Sequence, residues 1–243
     1  MKAYVIRVEF EDSNPLIWRK VIMPADATFK RLNEVIQAVT NFNQNNVTLE
    51  GHLYEFQLIE ENKIVTNNEE VYEEHQYYKK NRKFFDNRLK TIDPDMLEFE
   101  QRYQDRLKKE IRKPSGLKID AYLEKDEYID YFYDYGDNWR IKVKLEETVE
   151  DYYFGYPTLL DGAETAPLED VGGMTRFYEF LEGYHNPSHP NHHELYIWAN
   201  SQRFKEYDLK HINSMLKFIA YKKTEWSQIK HENYDVIEDK YRK

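Results

Sequence analysis

Cysteine is absent from this sequence of 243 residues, so disulfide bonds, thiolate metal ligands and a cysteine nucleophile are all excluded. Long apolar runs are absent as well, since none approaches the roughly 18 residues that a transmembrane helix requires. Near the N-terminus, Arg7 and Glu9 interrupt the apolar stretch in which a signal peptide would have its core. These absences predict a cytoplasmic protein that makes no contact with a membrane.

Positive charge is outnumbered by negative charge, and the formal net charge is -10. No run of lysine and arginine is long enough to form a basic arm. Because the phosphate backbone repels a negative surface, we expect no binding to duplex DNA. Asp134-Tyr135-Gly136 has the spelling of a kinase metal loop, but the glycine-rich loop, strand lysine and catalytic loop of kinases are missing, as is the G-x-S-x-G motif.

Apolar residues are plentiful enough for a core, at 40% hydrophobic and 16% aromatic. Alternation predicts a first strand over residues 4–10. The run 17–23, which follows the turn-forming "EDSNP" and ends at Pro24, predicts a second strand that forms a hairpin with the first. Thr28 can cap an amphipathic helix whose apolar face runs from Phe29 to Val39. Alternation resumes in "HLYEFQLI", residues 52–59. The chain therefore begins in the order β-β-α-β.

Residues 69–113 differ in kind, because 11 acidic and 12 basic residues make up about half of the segment. Opposite charges at helical spacing predict solvated helices, and "DPDM" at 93–96 divides them into two. We predict an inserted helical hairpin that projects from the sheet, with too little apolar surface for a core of its own. A disordered linker is the alternative, but the aromatic content disfavours it.

Strand patterns return from Leu117 in "KIDAYLE" and "EYIDYFYDY", and again from Trp139 to Leu145. Gly136-Asp137 between the last two runs predicts a two-residue type II′ hairpin turn. The C-terminal third reads as three amphipathic helices followed by a charged tail at 222–243. The whole predicts one α+β domain over 1–243, with a mixed, mostly antiparallel sheet covered by helices.

Four acidic residues in two predicted loops could hold Mg²⁺ or Ca²⁺ if the loops meet, namely Asp134, Asp137, Glu169 and Asp170. The alternative is structural. Asp137 would then form the turn, and Asp170 would accept amide hydrogen bonds around Gly172 and cap the following helix.

A histidine-rich stretch, "YHNPSHPNHHELYIW", is a second candidate metal site. His189 and His192 are three residues apart at a helix start and, with His185, His193 or Glu194, could bind a transition metal. No established ligand spacing such as H-E-x-x-H occurs, so surface histidines that hydrogen-bond the helix start are the alternative.

Several stretches together resemble the plasmid pRiA4b ORF-3-like family, proteins similar to the third open reading frame of a root-inducing plasmid. They are "PLIWRKVIMPADATFKRLNEVIQAV", "GHLYEFQL", "YDYGDNWRIKVKLEE", "APLEDVGGMTRFYEFLEGYHNPSHPNHHE" and "RFKEYDLKHINSML". The resemblance implies one α+β unit without an established activity. Some relatives are labelled as resolvases or insertion-element passengers, which implies a link to mobile elements, but this chain shows no serine-recombinase pattern.

This chain departs from the family pattern at Arg140, Leu160 and Ala166, where relatives often have a histidine and two cysteines. The positions that keep the pattern are Trp18, Arg19, His52, Tyr54, Phe56, Asp134, Gly136, Asp137, Trp139, Glu169, Asp170, Gly172, Gly173, His189 and Trp198. Of these, Trp139 lies on the apolar face of a predicted strand, and His52 is expected to hydrogen-bond across the sheet.

Two functions follow from these residues. The first is an interaction module for a protein, peptide or small ligand, with no required cofactor, and its candidate contacts are Asp134, Asp137, Trp139, Glu169, Asp170 and His52. The second is a metal-dependent hydrolase or nuclease that uses the acidic residues together with the His189 region. An enzyme of this kind would bring at least three of these side chains within metal-ligand distance of one another.

Overall fold

The computed structural model describes residues 2–42, 52–152 and 156–219, and its strands form one mixed sheet. The strands are β1 (Ala3–Phe10), β2 (Trp18–Pro24), β3 (Tyr54–Leu58), β4 (Lys63–Thr66), β5 (Glu110–Arg112), β6 (Ile129–Tyr133), β7 (Trp139–Val149) and β8 (Thr158–Ala163). Their order is β5-β4-β3-β6-β7-β1-β2-β8, and every neighbouring pair is antiparallel except β4 and β5. The predicted α+β class is confirmed. The predicted tail at 222–243 lies outside the described residues.

Helices cover one face of this sheet and extend from one of its edges. They are α1 (Phe29–Ala38), α2 (Glu69–Lys80), α3 (Arg82–Thr91), α4 (Leu97–Lys108), α5 (Asp120–Leu123), α6 (Gly173–His185), α7 (His192–Ser201) and α8 (Leu209–Leu216). Thr28 caps α1 by accepting from the amide of Arg31 at 3.3 Å, as the sequence predicts. None of the helices in the described ranges combines the length and apolar character needed to cross a bilayer.

The core lies between one face of the sheet and helices α1, α6, α7 and α8. Alternation along β1 places Tyr4, Ile6, Val8 and Phe10 in this core, where they pack against apolar residues of those helices. The opposite face carries charges in its centre, where Lys20 and Glu146 form an ion pair at 2.8 Å. One sheet face therefore supplies the core, and the other faces solvent over its charged centre.

Segment 69–113 contains three α-helices, so the prediction of a two-helix hairpin is wrong in number. The helices contribute Tyr78, Phe85 and Leu107 to a small buried cluster, which the sequence did not lead us to expect. The segment ends in β5, which pairs in parallel with β4 and becomes an edge of the sheet. Tyr103 packs against this cluster, and Gln104 of α4 donates to the carbonyl of Phe85 at 3.0 Å, so α2, α3 and α4 are joined by apolar and polar contacts.

One strand prediction is wrong, and two strands were not predicted. The alternating "KIDAYLE" is not a strand, because Asp120–Leu123 forms one helical turn that buries Tyr122 and Leu123. Strands β4 and β8 went unrecognised. Strand β4 has four residues, and β8 opens on a continuous buried run, which periodicity cannot distinguish from buried helix.

The predicted β6–β7 hairpin is confirmed, but its turn is not a two-residue type II′ turn. Tyr133 pairs with Trp139, so the connection has five residues, 134–138. Asp134 and Asn138 adopt left-handed backbone angles (φ 51° and 55°), whereas Gly136 does not. Short polar side chains tolerate this conformation, and the Asp134 carboxylate accepts the Gly136 amide at 2.9 Å.

Candidate functional site

The first half of the candidate site forms where β3 begins and β6 ends. Because β3 and β6 are antiparallel, with Tyr54 opposite Tyr133, the residues just before β3 lie beside those just after β6. The amide of Asp134 donates to the carbonyl of Leu53 at 3.0 Å, which extends the pairing by one step. His52 and Asp134 therefore come together although they are 82 positions apart in the sequence.

The second half is the loop that precedes α6. The amide of Gly172 donates to Asp137 Oδ2 at 3.0 Å, which joins this loop to the hairpin connection. Gly172 and Gly173 have φ angles of 91° and 88°, and a Cβ on Gly173 would lie 3.2 Å from the carbonyl oxygen of Asp137. The predicted acceptor at Gly172 was Asp170, so that prediction is wrong: the acceptor comes from the hairpin.

These two contacts bring one imidazole and three carboxylates together. His52 Nδ1 lies 3.7 Å from Asp134 Oδ1, and His52 Nε2 lies 3.8 Å from Glu169 Oε2 and 3.9 Å from Asp170 Oδ1. These separations exceed hydrogen-bond length, so the side chains converge without closing on one another. One ligand atom each from His52, Asp134 and Asp170 lies within 4.8 Å of the other two.

The carboxylates of this cluster have His52 beside them but no close lysine or arginine among the described residues. Among the residues that the structure describes, no lysine or arginine nitrogen lies within 4.0 Å of the carboxylates of Asp134, Glu169 or Asp170. Burial raises the pKa of Glu169, and the charges of Asp170 and Asp134 act in the same direction, whereas a hydrogen bond from Tyr133 and the charge of His52 oppose them. A bound cation would relieve this repulsion.

A polar groove of about 770 Å³ adjoins the cluster at His52. Its walls come from α1, the start of β3 and the start of α2, and its polar lining consists of Lys30, Asn33, Glu34, Gln37, His52, Tyr54, Asn67, Asn68, Glu69 and Glu70. Three glutamates against one lysine make the groove acidic. Carboxamides dominate the rest, so the groove suits a polar ligand that is neutral or positively charged.

Two predicted site residues have structural contacts in the described part of the chain. Asp137 binds the Gly172 amide. Trp139 is 2% exposed. Its ring centroid lies 6.2 Å from that of Phe10, in an edge-on arrangement, and 5.6 Å from that of Phe42, in a tilted one. Asp137 and Trp139 therefore support the loops around the cluster, and neither contributes one of the side-chain atoms that lie close together in it.

The histidines at the α6–α7 connection are not brought to the acidic cluster. His192 Nδ1 lies 3.0 Å from the carbonyl of Gly183, and His189 Nδ1 accepts the amide of Asn191 at 3.2 Å. Neither belongs to the grouping of three ligand residues found within the described ranges. Both histidines therefore contact backbone groups at the α6–α7 connection.

The residues that the sequence did not identify are those that hold the cluster. Tyr133 donates its hydroxyl to Glu169, and its ring lies 5.8 Å from the ring of His52. Its sequence signal is the alternation of Tyr131 and Tyr133 along β6, which indicates burial but not a polar partner. His52 itself was expected to bond across the sheet, whereas it lies among carboxylates.

The fold and the cluster define a class: α+β proteins in which a histidine just before a central strand meets carboxylates from a hairpin connection and from the loop before a helix. The chain belongs to the family described as Plasmid pRiA4b ORF-3-like protein, whose sequence model matches residues 2–215. The uncharacterized protein y4hQ of Sinorhizobium fredii is 27% identical over 206 residues, which cover 84% of this chain and 85% of y4hQ.

A solved structure shares the fold. The crystal structure of MM3350, a protein of unknown function from Methanosarcina mazei Go1, superposes with a TM-score of 0.58 at 22% identity. The match covers 86% of this chain and 96% of MM3350. At this level of identity the similarity establishes the fold alone.

Proposed function

We propose that the protein is a metal-dependent hydrolase, with a divalent cation held by His52, Asp134 and Asp170. The observation that carries the proposal is the convergence of three ligand atoms, from two loops and the start of a strand, within 4.8 Å of one another. Three protein ligands leave coordination positions for water and substrate, as catalytic sites require and closed structural sites do not.

The ligand set favours a transition metal over calcium. One imidazole with carboxylate oxygens suits Zn²⁺ or Mn²⁺, whereas Ca²⁺ takes about six to eight oxygen ligands. Glu169 is the third carboxylate of the cluster, its Oε2 3.8 Å from His52 Nε2, and its hydrogen bond from Tyr133 would hold it beside a bound cation. The metal would supply Lewis acidity, and the surrounding residues would orient the substrate.

The groove limits the substrate. Its acidic lining and the net charge of -10 disfavour nucleic acid, so the nuclease form of the hypothesis is the weaker one. We propose a neutral or cationic polar substrate whose scissile bond lies at the His52 end of the groove.

A metal titration tests the proposal. Purified protein stripped of metal is titrated with Mn²⁺, Zn²⁺, Mg²⁺ and Ca²⁺ by calorimetry, and the thermal midpoint is recorded with each ion. Wild type should bind Mn²⁺ or Zn²⁺ at one site, and His52→Ala and Asp134→Asn should abolish binding. His193→Ala is the matched control, because His193 is exposed and lies outside the cluster. Equal binding by His52→Ala would overturn the assignment.

Chromogenic amide, ester and phosphoester substrates then test hydrolysis by the metal-loaded protein. Turnover that requires the metal and is lost in His52→Ala supports the enzyme. Metal binding without turnover of any bond class would favour the second candidate, an interaction module, for which the groove itself is the specific observation.

Cellular context remains part of the proposal. The lack of cysteine is compatible with a reducing cytoplasm, and the plasmid origin in the family's description is the support for a link to mobile elements. Cell fractionation followed by immunoblotting for the native protein tests the cytoplasmic location.

A further inference from the structure

We infer that the helical segment 69–113 controls the metal affinity of the cluster through a hydrogen-bonded chain of three residues, Arg106, Glu55 and Tyr135. This inference rests on the proposed function, because it concerns regulation of the same site. Its structural basis is one carboxylate that is bound at once by the segment and by the hairpin connection.

Glu55 is the centre of this chain. It lies on β3, is 3% exposed, and receives two hydrogen bonds from Arg106 of α4, at 2.5 and 3.3 Å. The hydroxyl of Tyr135 donates to the same carboxylate at 2.9 Å, and Gln57 donates to it at 2.7 Å. Burial by itself would raise the pKa of Glu55, but the bonds from Arg106 lower it on balance.

Tyr135 connects Glu55 to the cluster, because it follows Asp134 directly. Its ring is 46% exposed, so its hydroxyl contact with Glu55 rather than burial determines where the ring lies. Asp134 has a φ of 51°, a conformation that an aspartate keeps when its surroundings hold it. Two hydrogen bonds hold Asp134 in place. Its Oδ1 accepts the Gly136 amide, and the hydroxyl of the neighbouring Tyr135 donates to Glu55.

Removal of Arg106 leaves Glu55 as a buried charge with only neutral donors. Such a carboxylate must recruit water, gain a proton or move, and each change disturbs the Tyr135 hydroxyl that shares it. The effect reaches Asp134, a proposed ligand, through one peptide bond. A partner or ligand that displaces α4 would therefore weaken metal binding without contact with the metal.

Calorimetric titration of the full chain with Mn²⁺ tests the inference. Tyr135→Phe keeps the ring and removes the bond to Glu55, and Arg106→Gln removes the charge. Each should weaken Mn²⁺ binding by at least about fivefold, the lower end of typical coupling between sites. The matched controls are Tyr77→Phe, an exposed tyrosine on α2, and Arg102→Gln, whose ion pair with Glu98 is exposed on α4; neither should change the affinity.

Amide hydrogen exchange separates failure of this inference from failure of the proposed function. In Arg106→Gln without metal, the amides of Gly136 and Asn138 should exchange faster, and in Arg102→Gln they should not. If Arg106→Gln changes neither the amide exchange nor the Mn²⁺ affinity, the inference that segment 69–113 controls metal affinity is wrong. If wild type binds no Mn²⁺, the proposed function fails, and control of metal affinity fails with it. Faster exchange in Arg106→Gln would still show that Arg106, Glu55 and Tyr135 hold the β6–β7 connection in place.

Discussion

The carboxylate of Asp137 accepts the amide of Gly172 at 3.0 Å, so a residue of the β6–β7 connection caps the loop that opens α6. The two residues are 35 positions apart. This contact places Glu169 and Asp170 opposite His52, and its removal should separate the two halves of the cluster.

Substitution at Asp137 should depend on whether an acceptor remains. Asp137→Asn keeps an oxygen that can accept the Gly172 amide and should cost about 1 kcal/mol or less. Asp137→Ala removes the acceptor from a helix N-terminus and should cost about 1–2 kcal/mol. Chemical denaturation of both variants checks this, and equal stability of Asp137→Ala and wild type would contradict it.

Gly173 should not tolerate a side chain. Its φ of 88° is unfavourable for alanine, and the added Cβ would lie 3.2 Å from the carbonyl oxygen of Asp137. Gly173→Ala should therefore cost about 1–3 kcal/mol in urea denaturation. Gly116→Ala is the control, because no atom lies within 4 Å of its added Cβ and its φ is not positive. Comparable losses at the two positions would argue against a backbone cause.

Trp139 should contribute to stability through volume and not through its indole nitrogen. Its Nε1 is buried without a hydrogen-bond partner among the described residues. Trp139→Ala should cost roughly 3–5 kcal/mol through lost burial and a cavity. Trp139→Phe keeps most of the contact with Phe10 and Phe42, so its loss should be clearly smaller. Denaturant midpoints of the two variants, measured side by side, provide the comparison.

His75 should make segment 69–113 sensitive to acid. The residue is 2% exposed, its Nδ1 lies 2.8 Å from the carbonyl of Leu107, and the Ile111 amide donates to its Nε2 at 3.4 Å. Burial lowers the pKa of His75 from its ordinary 6.5, so folding favours the neutral ring.

Because folding favours the neutral ring of His75, acid should lower the stability of the protein. The unfolded chain takes up the proton first, so stability from neutral His75 is complete above pH 6.5 and is lost as pH falls through the lowered pKa. Thermal midpoints between pH 7.5 and pH 4.5, chosen to bracket that window, should fall less steeply for His75→Gln than for wild type. His193→Gln, an exposed control, should follow wild type. Parallel slopes for all three proteins would refute a role for His75.

Duplex DNA should not bind at moderate salt. The net charge of -10 opposes the counterion release that drives such binding. A gel-shift titration to micromolar protein should show no complex, and a shift that weakens with added salt would reverse this expectation.

Local chemistry explains what the sequence could predict of the fold. Thr28 and Asp208 cap helices by bonding amides two or three residues away, and the alternation along β1 reflects one strand against one core. Strand β5 could not be predicted in this way. It has three residues, and its pairing with β4 depends on the packing of three intervening helices.

The candidate site was predictable in its residues but not in its grouping. Asp134, Glu169 and Asp170 stand out as acidic residues in loops, whereas His52 looked like a strand residue. Its position among the carboxylates depends on the pairing of β3 with β6, two strands that 70 residues separate. His189 and His192 stand out as candidate ligands in the sequence, and in the structure each has a backbone partner at Nδ1, away from the acidic cluster.

Strand β5 also bears on how the protein behaves at high concentration. An edge strand with free amide and carbonyl groups can pair with another chain and seed aggregation. Strand β5 covers the outer side of β4, is only three residues long, carries charges at Glu110 and Arg112, and is followed by Pro114 within two residues. Segment 69–113 therefore ends the sheet in a short, charged edge strand that pairs poorly with other chains. A protein shortened so that β4 became the edge strand would be expected to lose solubility before it lost its core.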